Sequence, residues 1–462
     1  MNARLPDVTA QLAAFVHRTR LADIPEAVRH QARVAIADSL CTILAGLDQP
    51  VVKILREVIG AESAPGSIPV LGTKMKLSPT GAAFINAATS HALDYDNISL
   101  TVSGFVSTPV LFALLALCEQ RGIGGEKLLE AFIVGSEAEA AVARGLGVEH
   151  YACGWHATAT LGHIGAAVAC AKLLDFDETG IRRAIGFAAT DASGLRATIG
   201  NMTNPYHLGK AARCGPLAAA LIERGFTAHE EVLEFDWGFC NAFNGPGKFD
   251  LDKIVAHLAD PWDLVDPGLV VKLYPCCGLV HSTLDGVLDL MREHKVGPRD
   301  IKKVRIAVHA LVLKTMDRTA PKTAYEGKFC APFCVAIALK EGNVKIQHFT
   351  DEATRDPELL ELMGRVEQSV HPELTGYDSF LDREFSDVAF ELNDGRTVST
   401  RIWRIANRGS RDRPATAADL RDKYLETTTG HAHQARAIAA LERVAQIESI
   451  GDIRELTAAF EP

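Results

Sequence analysis

Val304-Arg305-Ile306-Ala307-Val308-His309 is the stretch at which the periodicity of this chain changes. Val304, Ile306 and Val308 alternate with Arg305, Ala307 and His309, a period of two that reads as a half-buried strand. Upstream, from residue 8 to about 260, apolar residues recur at three and four spacing between short Gly, Pro or Asp breaks, as in Ala27 to Leu44, Glu126 to Ala143, Ala157 to Leu174 and Gly209 to Glu223. Many of these helices are rich in Ala and Gly, which lets helix axes approach closely in a large bundle. Downstream, Val388, Phe390 and Leu392 alternate likewise, Asn393-Asp394-Gly395 supplies turn chemistry, and Val398, Thr400 and Ile402 continue as a return strand. Phe329 to Lys340 and Pro357 to Met363 read as helices between the strands, and helical periodicity resumes at Ala417. The expected fold is therefore mainly α: an all-α domain over 1–267, a smaller α+β domain over 268–405, and C-terminal helices over 406–462 that pack back on the first domain.

The chain has 462 residues, of which 47% are hydrophobic and 23% charged, the composition of a globular protein with a sizeable core. A formal net charge of -10 and the absence of a Lys/Arg-rich run argue against a nucleic-acid surface. An anionic substrate would need a locally cationic pocket. Met1 to Asp7 lacks an apolar core with a small-residue cleavage site, so a cytoplasmic location is expected. Asn97 to Cys118 carries no charge, but Ser, Thr, Gly and Pro interrupt it, and the apolar run Val110 to Cys118 reads as a buried helix rather than a membrane span. The ten cysteines are scattered through apolar surroundings that suit reduced thiols. Cys276, Cys277, His281, Cys330 and Cys334 form a loose grouping without a Cys-x-x-Cys pair, and no metal site is expected there.

Five segments concentrate polar groups where short linkers meet small-residue helices. His91-Ala92-Leu93-Asp94-Tyr95-Asp96-Asn97 places an imidazole and two carboxylates at the end of an apolar helix that Ser78 caps and Pro79 opens. A capped turn beside a core histidine is the competing reading. Gly154-Trp155-His156 precedes a helix with Thr158 as expected N-cap, where the terminal N–H groups favour an anion and a neutral imidazole. In His207-Leu208-Gly209-Lys210-Ala211-Ala212-Arg213, two cations share a helical face, which suggests carboxylate binding against a reading as a solvated basic edge. Lys272 to His281 opens a further helix at the domain boundary, where clefts commonly form. Lys328 stands at another helix start, unfavourable to the macrodipole unless an anion neighbours it.

Together HALDYDN at 91–97, GWHATATLG at 154–162, HLGKAARCG at 207–215, YPCCGLVH at 274–281 and EGKF at 326–329 resemble the MmgE/PrpD family over nearly the whole chain. That family includes 2-methylcitrate dehydratase, cis-aconitate decarboxylase and iminodisuccinate epimerase. The resemblance implies a large helical domain under a smaller α+β lid, a homodimer, and catalysis on small di- or tricarboxylates without metal or organic cofactor. By position it implies that Asp94, His156 and His281 are active-site residues and that Lys210 is a basic one. Three departures stand out. Leu100 to Phe105 lacks the loop histidine of decarboxylase-like members, Asn204 replaces a lysine, and the lid near Leu313 lacks a tyrosine. These argue against a standard cis-aconitate decarboxylase.

The expected chemistry is proton transfer at a carbon next to a carboxylate, in which a neutral histidine moves the proton and cations hold the developing charge. His156 and His281 are the expected acid/base pair, with Asp94 and Lys210 completing the catalytic set. His91, Asp96, His207, Arg213 and Lys328 are expected to bind a small polycarboxylate substrate. Dehydration of the 2-methylcitrate type is the first expectation and epimerisation of a dicarboxylate the second. A non-catalytic polycarboxylate-binding protein is the reading from another class.

Overall fold

The computed structural model describes residues 7–316, 318–376 and 384–462. At the centre of its helical part, every residue of the Ala157–Leu173 helix is buried. An all-round apolar, small-residue helix of this kind can only be a core helix. It packs against the Gly125–Leu146, Thr203–Ile222 and Ser107–Arg121 helices. Small side chains set the spacing: a β-carbon at Gly165 would stand 2.2 Å from Glu139 Oε2, and one at Gly209 would stand 2.7 Å from the Phe84 carbonyl oxygen. The Pro79–His91 helix packs on the Thr203–Ile222 and Ser107–Arg121 helices, its first turn capped by Ser78 Oγ accepting from the Gly81 N–H at 3.3 Å. Val110 to Cys118 lies within the Ser107–Arg121 helix and is buried there. Among the described residues no single helix is long and apolar enough to cross a membrane.

Two pairs of very short strands interrupt this helical part. Pro65–Pro69 pairs with Lys76–Leu77, and Ile98–Ser99 pairs antiparallel with Leu269–Val270. Strands of two residues leave no period-two signal to read. The second pair ties the acidic loop to the segment that leaves the helical part, and so fixes where Lys272 will lie.

The smaller part is built on a four-stranded sheet in the order Val366–Val370, Ile301–Val308, Phe385–Leu392, Thr397–Trp403. The first pair is parallel and the others antiparallel, with Val304 opposite both Val366 and Phe390. Val304, Ile306, Val388 and Phe390 point inward to the core shared with the His281–His294 and Ala331–Glu341 helices. The hairpin turn uses Gly395 at φ +89°, a conformation that glycine adopts without a β-carbon clash. Val366–Val370 was not expected as a strand: it is an edge with mostly solvent-facing residues, so it carries no apolar alternation.

The C-terminal Ala417–Thr428 helix, closed by a Thr416/Asp419 capping box, packs on the Glu26–Gly46 helix, and Tyr424, Ile438 and Leu441 join the core of the helical part. It also delivers a buried cation with three hydrogen-bond partners. Lys423 Nζ donates to Asp38 Oδ1 at 2.5 Å, to the Tyr95 carbonyl at 2.7 Å and to the Lys272 carbonyl at 2.9 Å. Asp38 Oδ2 meanwhile accepts from Asn97 Nδ2 at 3.0 Å. Lys423→Met, which strands the Asp38 carboxylate, should destabilise the protein by about 3–5 kcal/mol. Lys423→Met combined with Asp38→Asn should recover most of that loss in urea unfolding; a double variant no more stable than the single one would show that charge pairing is not the source.

Candidate active site

A cavity of about 60 Å³ opens where the helical part meets the lid, lined by Asp94, Tyr151, His156 and Asn204 from the first and by Lys272, Cys277, Phe329 and Arg404 from beyond residue 268. Asp94 sits just past the end of the Pro79–His91 helix at φ +51°, in the left-handed region that Asp tolerates better than most residues. One side chain holds it there: Lys272 Nζ donates to Asp94 Oδ1 at 2.6 Å and to the Asp94 carbonyl at 2.9 Å. The same ammonium lies 4.7 Å from the Phe105 ring centroid, a cation–π contact inside the cavity wall. Asp94 is thereby a buried anion paired with a buried cation, and both face the cavity.

His156 closes the second wall. It is itself the N-cap residue of the Ala157–Leu173 helix, and Thr158, expected in that role, lies inside the first turn. Thr158 Oγ1 instead accepts from the Phe105 N–H at 2.9 Å, because the 100–105 loop folds across the helix start and its amide needs a partner. His156 Nδ1 lies 3.0 Å from His207 Nδ1, so one ring donates and the other accepts. Burial, with His207 and His91 nearby, drives the His156 pKa well below its ordinary value, and burial with Lys210 nearby lowers that of His207 to about 4. Both rings are neutral at physiological pH, as a base requires. Only His156 lines the cavity; His207 stands behind it.

His91 and Asp96, expected to touch substrate, are turned inward. His91 Nδ1 donates to Asp96 Oδ1 at 2.8 Å, Asp96 Oδ2 accepts from Thr108 Oγ1 at 2.6 Å, and His91 Nε2 accepts from Asn204 Nδ2 at 3.1 Å. Burial raises the Asp96 pKa, but the hydrogen bonds from His91 and Thr108 and the nearby Lys272 charge outweigh it and hold the carboxyl below its usual range. The ligand-type atoms of His91, Asp94 and Asp96 lie within 4.8 Å of one another. Yet both His91 nitrogens are engaged and Asp94 already holds the Lys272 ammonium, so Lys272 fills the place of a cation there.

The remaining expected residues lie outside the cavity lining. His281 opens the His281–His294 helix, with Nε2 3.3 Å from the Cys276 carbonyl and its ring edge-on to Tyr274 at 5.1 Å. Lys328 is not anion-bound at a helix start. It follows the short Ala324–Gly327 turn, its ammonium donates to the Pro275 carbonyl at 2.6 Å and lies 4.4 Å from the Phe349 ring, and burial lowers its pKa to about 8. Lys210 bonds Ser193 Oγ and Arg213 is exposed, and neither lines the cavity. Conversely, Lys272, Tyr151 and Arg404 line the cavity without having been assigned roles from sequence. Lys272 and Tyr151 lie within or beside motif segments, whereas nothing local marks Arg404, which the hairpin carries in and Glu384 Oε2 anchors at 2.6 Å.

Comparison with known sequences settles the family. The sequence model of the MmgE/PrpD N-terminal domain matches residues 10–252 and that of the MmgE/PrpD C-terminal domain matches residues 274–447. The chain belongs to the MmgE/PrpD family. Its relatives include cis-aconitate decarboxylase of Aspergillus terreus (strain NIH 2624 / FGSC A1156), 27% identical over 86% of this chain and 84% of the relative. Cis-aconitate decarboxylase of Homo sapiens is 25% identical over 98% of this chain and 94% of the relative. A probable 2-methylcitrate dehydratase of Saccharomyces cerevisiae is 21% identical over 84% and 79%. Within this MmgE/PrpD protein two of the three departures, Phe105 and Asn204, meet at one wall of the cavity, and the third lies apart from the lining. Phe105 packs edge-on to His91 at 4.3 Å, Asn204 caps His91, and Leu313 packs against the lid core, while Tyr325 places its hydroxyl 3.3 Å from Asn204 Nδ2.

Neutral buried histidines make the protein acid-sensitive. His150 donates Nδ1–H to Asn244 Oδ1 at 2.9 Å and accepts from Thr160 Oγ1 at 2.7 Å, and burial lowers its pKa from 6.5 to about 4. Between those values the unfolded chain binds the extra proton, so the stabilisation is complete above pH 6.5, declines as pH falls and levels off near pH 4. His150→Gln should reduce the loss of unfolding free energy over that window by about 1–3 kcal/mol. Denaturant titrations from pH 7 to pH 4 check it, and parallel curves for the two proteins would refute it.

Proposed function

We propose that this protein catalyses proton transfer next to a carboxylate of a small di- or tricarboxylate, with dehydration of a hydroxy acid, as in 2-methylcitrate dehydratase, as the first reading. The observation that carries it is the meeting of a neutral buried imidazole, His156, with Lys272 and Arg404 in one cavity. A C–H beside a carboxylate is weakly acidic because the proton leaves behind an enolate-like dianion. His156 takes that proton, and the Lys272 ammonium, oriented by Asp94, with the Arg404 guanidinium, oriented by Glu384, holds the charge in the cavity. Burial raises the Tyr151 pKa, which keeps its phenol protonated and able to donate to a departing hydroxyl. Proton abstraction, C–O cleavage and protonation of the leaving group then yield an alkene and water.

A second reading is epimerisation of a dicarboxylate. It draws on the presence of Tyr151 and His156 in the same cavity, two groups that could exchange a proton with one carbon. Decarboxylation, the activity in the names of several relatives, is less favoured, because Phe105 and Asn204 stand where decarboxylase-like members carry a histidine and a lysine.

Proton NMR in deuterium oxide with 2-methylcitrate, citrate, cis-aconitate, iminodisuccinate and hydroxylated dicarboxylates separates these readings. Dehydration predicts a new alkene signal; α-deuteration with inversion and no alkene would select epimerisation. On the substrate so found, His156→Gln should lower kcat by about 10²- to 10⁴-fold while the protein stays folded. Unchanged turnover in that variant would remove His156 from the mechanism.

A further inference from the structure

Asn204 is 2% exposed and lines the cavity, and its amide is used on one side only. Nδ2 donates to His91 Nε2 at 3.1 Å and to Tyr325 OH at 3.3 Å, which spends both of its hydrogens. Oδ1 is buried and has no partner among the described residues. The amide orientation follows from the chain of bonds behind it. His91 gives its Nδ1–H to the Asp96 carboxylate, which leaves Nε2 as an acceptor, and only the NH2 end of Asn204 can satisfy it. The carbonyl end is therefore the end left for the cavity. A buried carbonyl without a donor is rare in folded proteins and calls for an explanation. Among the described residues no donor reaches it, and the Lys272 ammonium gives its bonds to Asp94.

We propose that Asn204 Oδ1 is a substrate-recognition group that accepts a hydrogen bond from an O–H or N–H borne on the carbon skeleton of a polycarboxylate. The substrate is then a hydroxy- or amino-substituted di- or tricarboxylate, and acids without such a donor are discriminated against because they leave Oδ1 desolvated and unpaired. This rests on reading the cavity as a carboxylate site. It adds to that reading the feature that distinguishes one carboxylate from another. His91, Asp96 and Tyr325 act as positioning residues, since they hold the amide and do not line the cavity.

Isothermal titration of the full-length protein with matched acids tests this directly. The pairs are malate and succinate, citrate and tricarballylate, and aspartate and succinate, each differing in one donor-bearing substituent, with O-methylmalate as a ligand that keeps the oxygen but loses its proton. At least one donor-bearing acid should bind about tenfold more tightly than its partner. The malate pair reports a hydroxyl and the aspartate pair an amino group. O-methylmalate should bind no better than succinate. In Asn204→Leu the preference should collapse to within about twofold, with the donor-free partner binding at least as tightly as before, since Oδ1 no longer goes unpaired. Asn204→Lys, which replaces the acceptor by a cation, should favour the donor-free acids.

Equal affinities within every pair, O-methylmalate matching malate, or a preference that survives in Asn204→Leu would each overturn the proposal. The ligand series with the unaltered protein decides alone if Asn204→Leu does not fold. Equal binding of both members leaves the carboxylate site standing and removes Asn204 from recognition. A donor preference without turnover of any acid keeps Asn204 and removes the proposed reaction, and no binding of any acid overturns both.

Discussion

One buried ammonium fixes the geometry on which the site depends. Lys423 has three N–H bonds to give, and it gives them to Asp38 in an N-terminal helix, to the Tyr95 carbonyl in the acidic loop and to the Lys272 carbonyl in the segment entering the lid. A buried charge is tolerated only when paired and fully hydrogen-bonded, so these partners cannot drift independently without leaving an ion unsatisfied. Tyr95 and Lys272 each adjoin, or are, the groups that shape the cavity. The C-terminal helix that bears Lys423 therefore takes part in positioning a site that it does not line.

The acidic loop shows how such a network sorts residues of one type into different tasks. Asp96 is bonded to His91 and Thr108, and Asn97 reaches the Ala35 carbonyl, Asp38, Ser39 and Ser107, so the loop is pinned through its second half. Asp94 alone turns to the cavity, held at positive φ by two bonds from one lysine. Backbone strain of this kind persists where the surroundings over-determine it, and the surroundings here are Lys272 in front and Lys423 behind. Of the histidine and two carboxylates that the motif offers, His91 and Asp96 bond within the scaffold and only Asp94 lines the cavity.

How far the sequence led follows from the range of each interaction. Long small-residue helices, the strand alternation at Val304 and the Asn393-Asp394-Gly395 hairpin are local patterns, and each was legible within a window of a few turns. The two-residue strands and the exposed edge strand Val366–Val370 depend on partners distant in the chain and carry almost no local pattern. The site divides in the same way. Asp94 and His156 announce themselves by adjacency to a helix end. Lys210 and Arg213 share a face, as their spacing requires, but which way that face looks is a tertiary fact. Arg404 was invisible because only the closing of the sheet onto the helical part brings it to the cavity.

The charges in the cavity come as pairs, and this shapes what the site can do. Lys272 is matched by Asp94 and Arg404 by Glu384, so the empty cavity does not hold two bare cations in a region of low dielectric. Unpaired, they would cost several kcal/mol each to bury. A carboxylate that enters must share each cation with its resident anion, which weakens ground-state attraction. Charge that develops next to a carboxylate during proton removal adds to the anion already bound and draws on cations held in place beforehand, with little reorganisation. In the proposed reaction the pairing thus moves stabilisation away from binding and toward the step in which His156 takes the proton. In a protein of net charge -10, which does nothing at long range to gather anions, selectivity then falls to the uncharged groups of the wall. Phe105, Asn204 and Tyr151 are those groups.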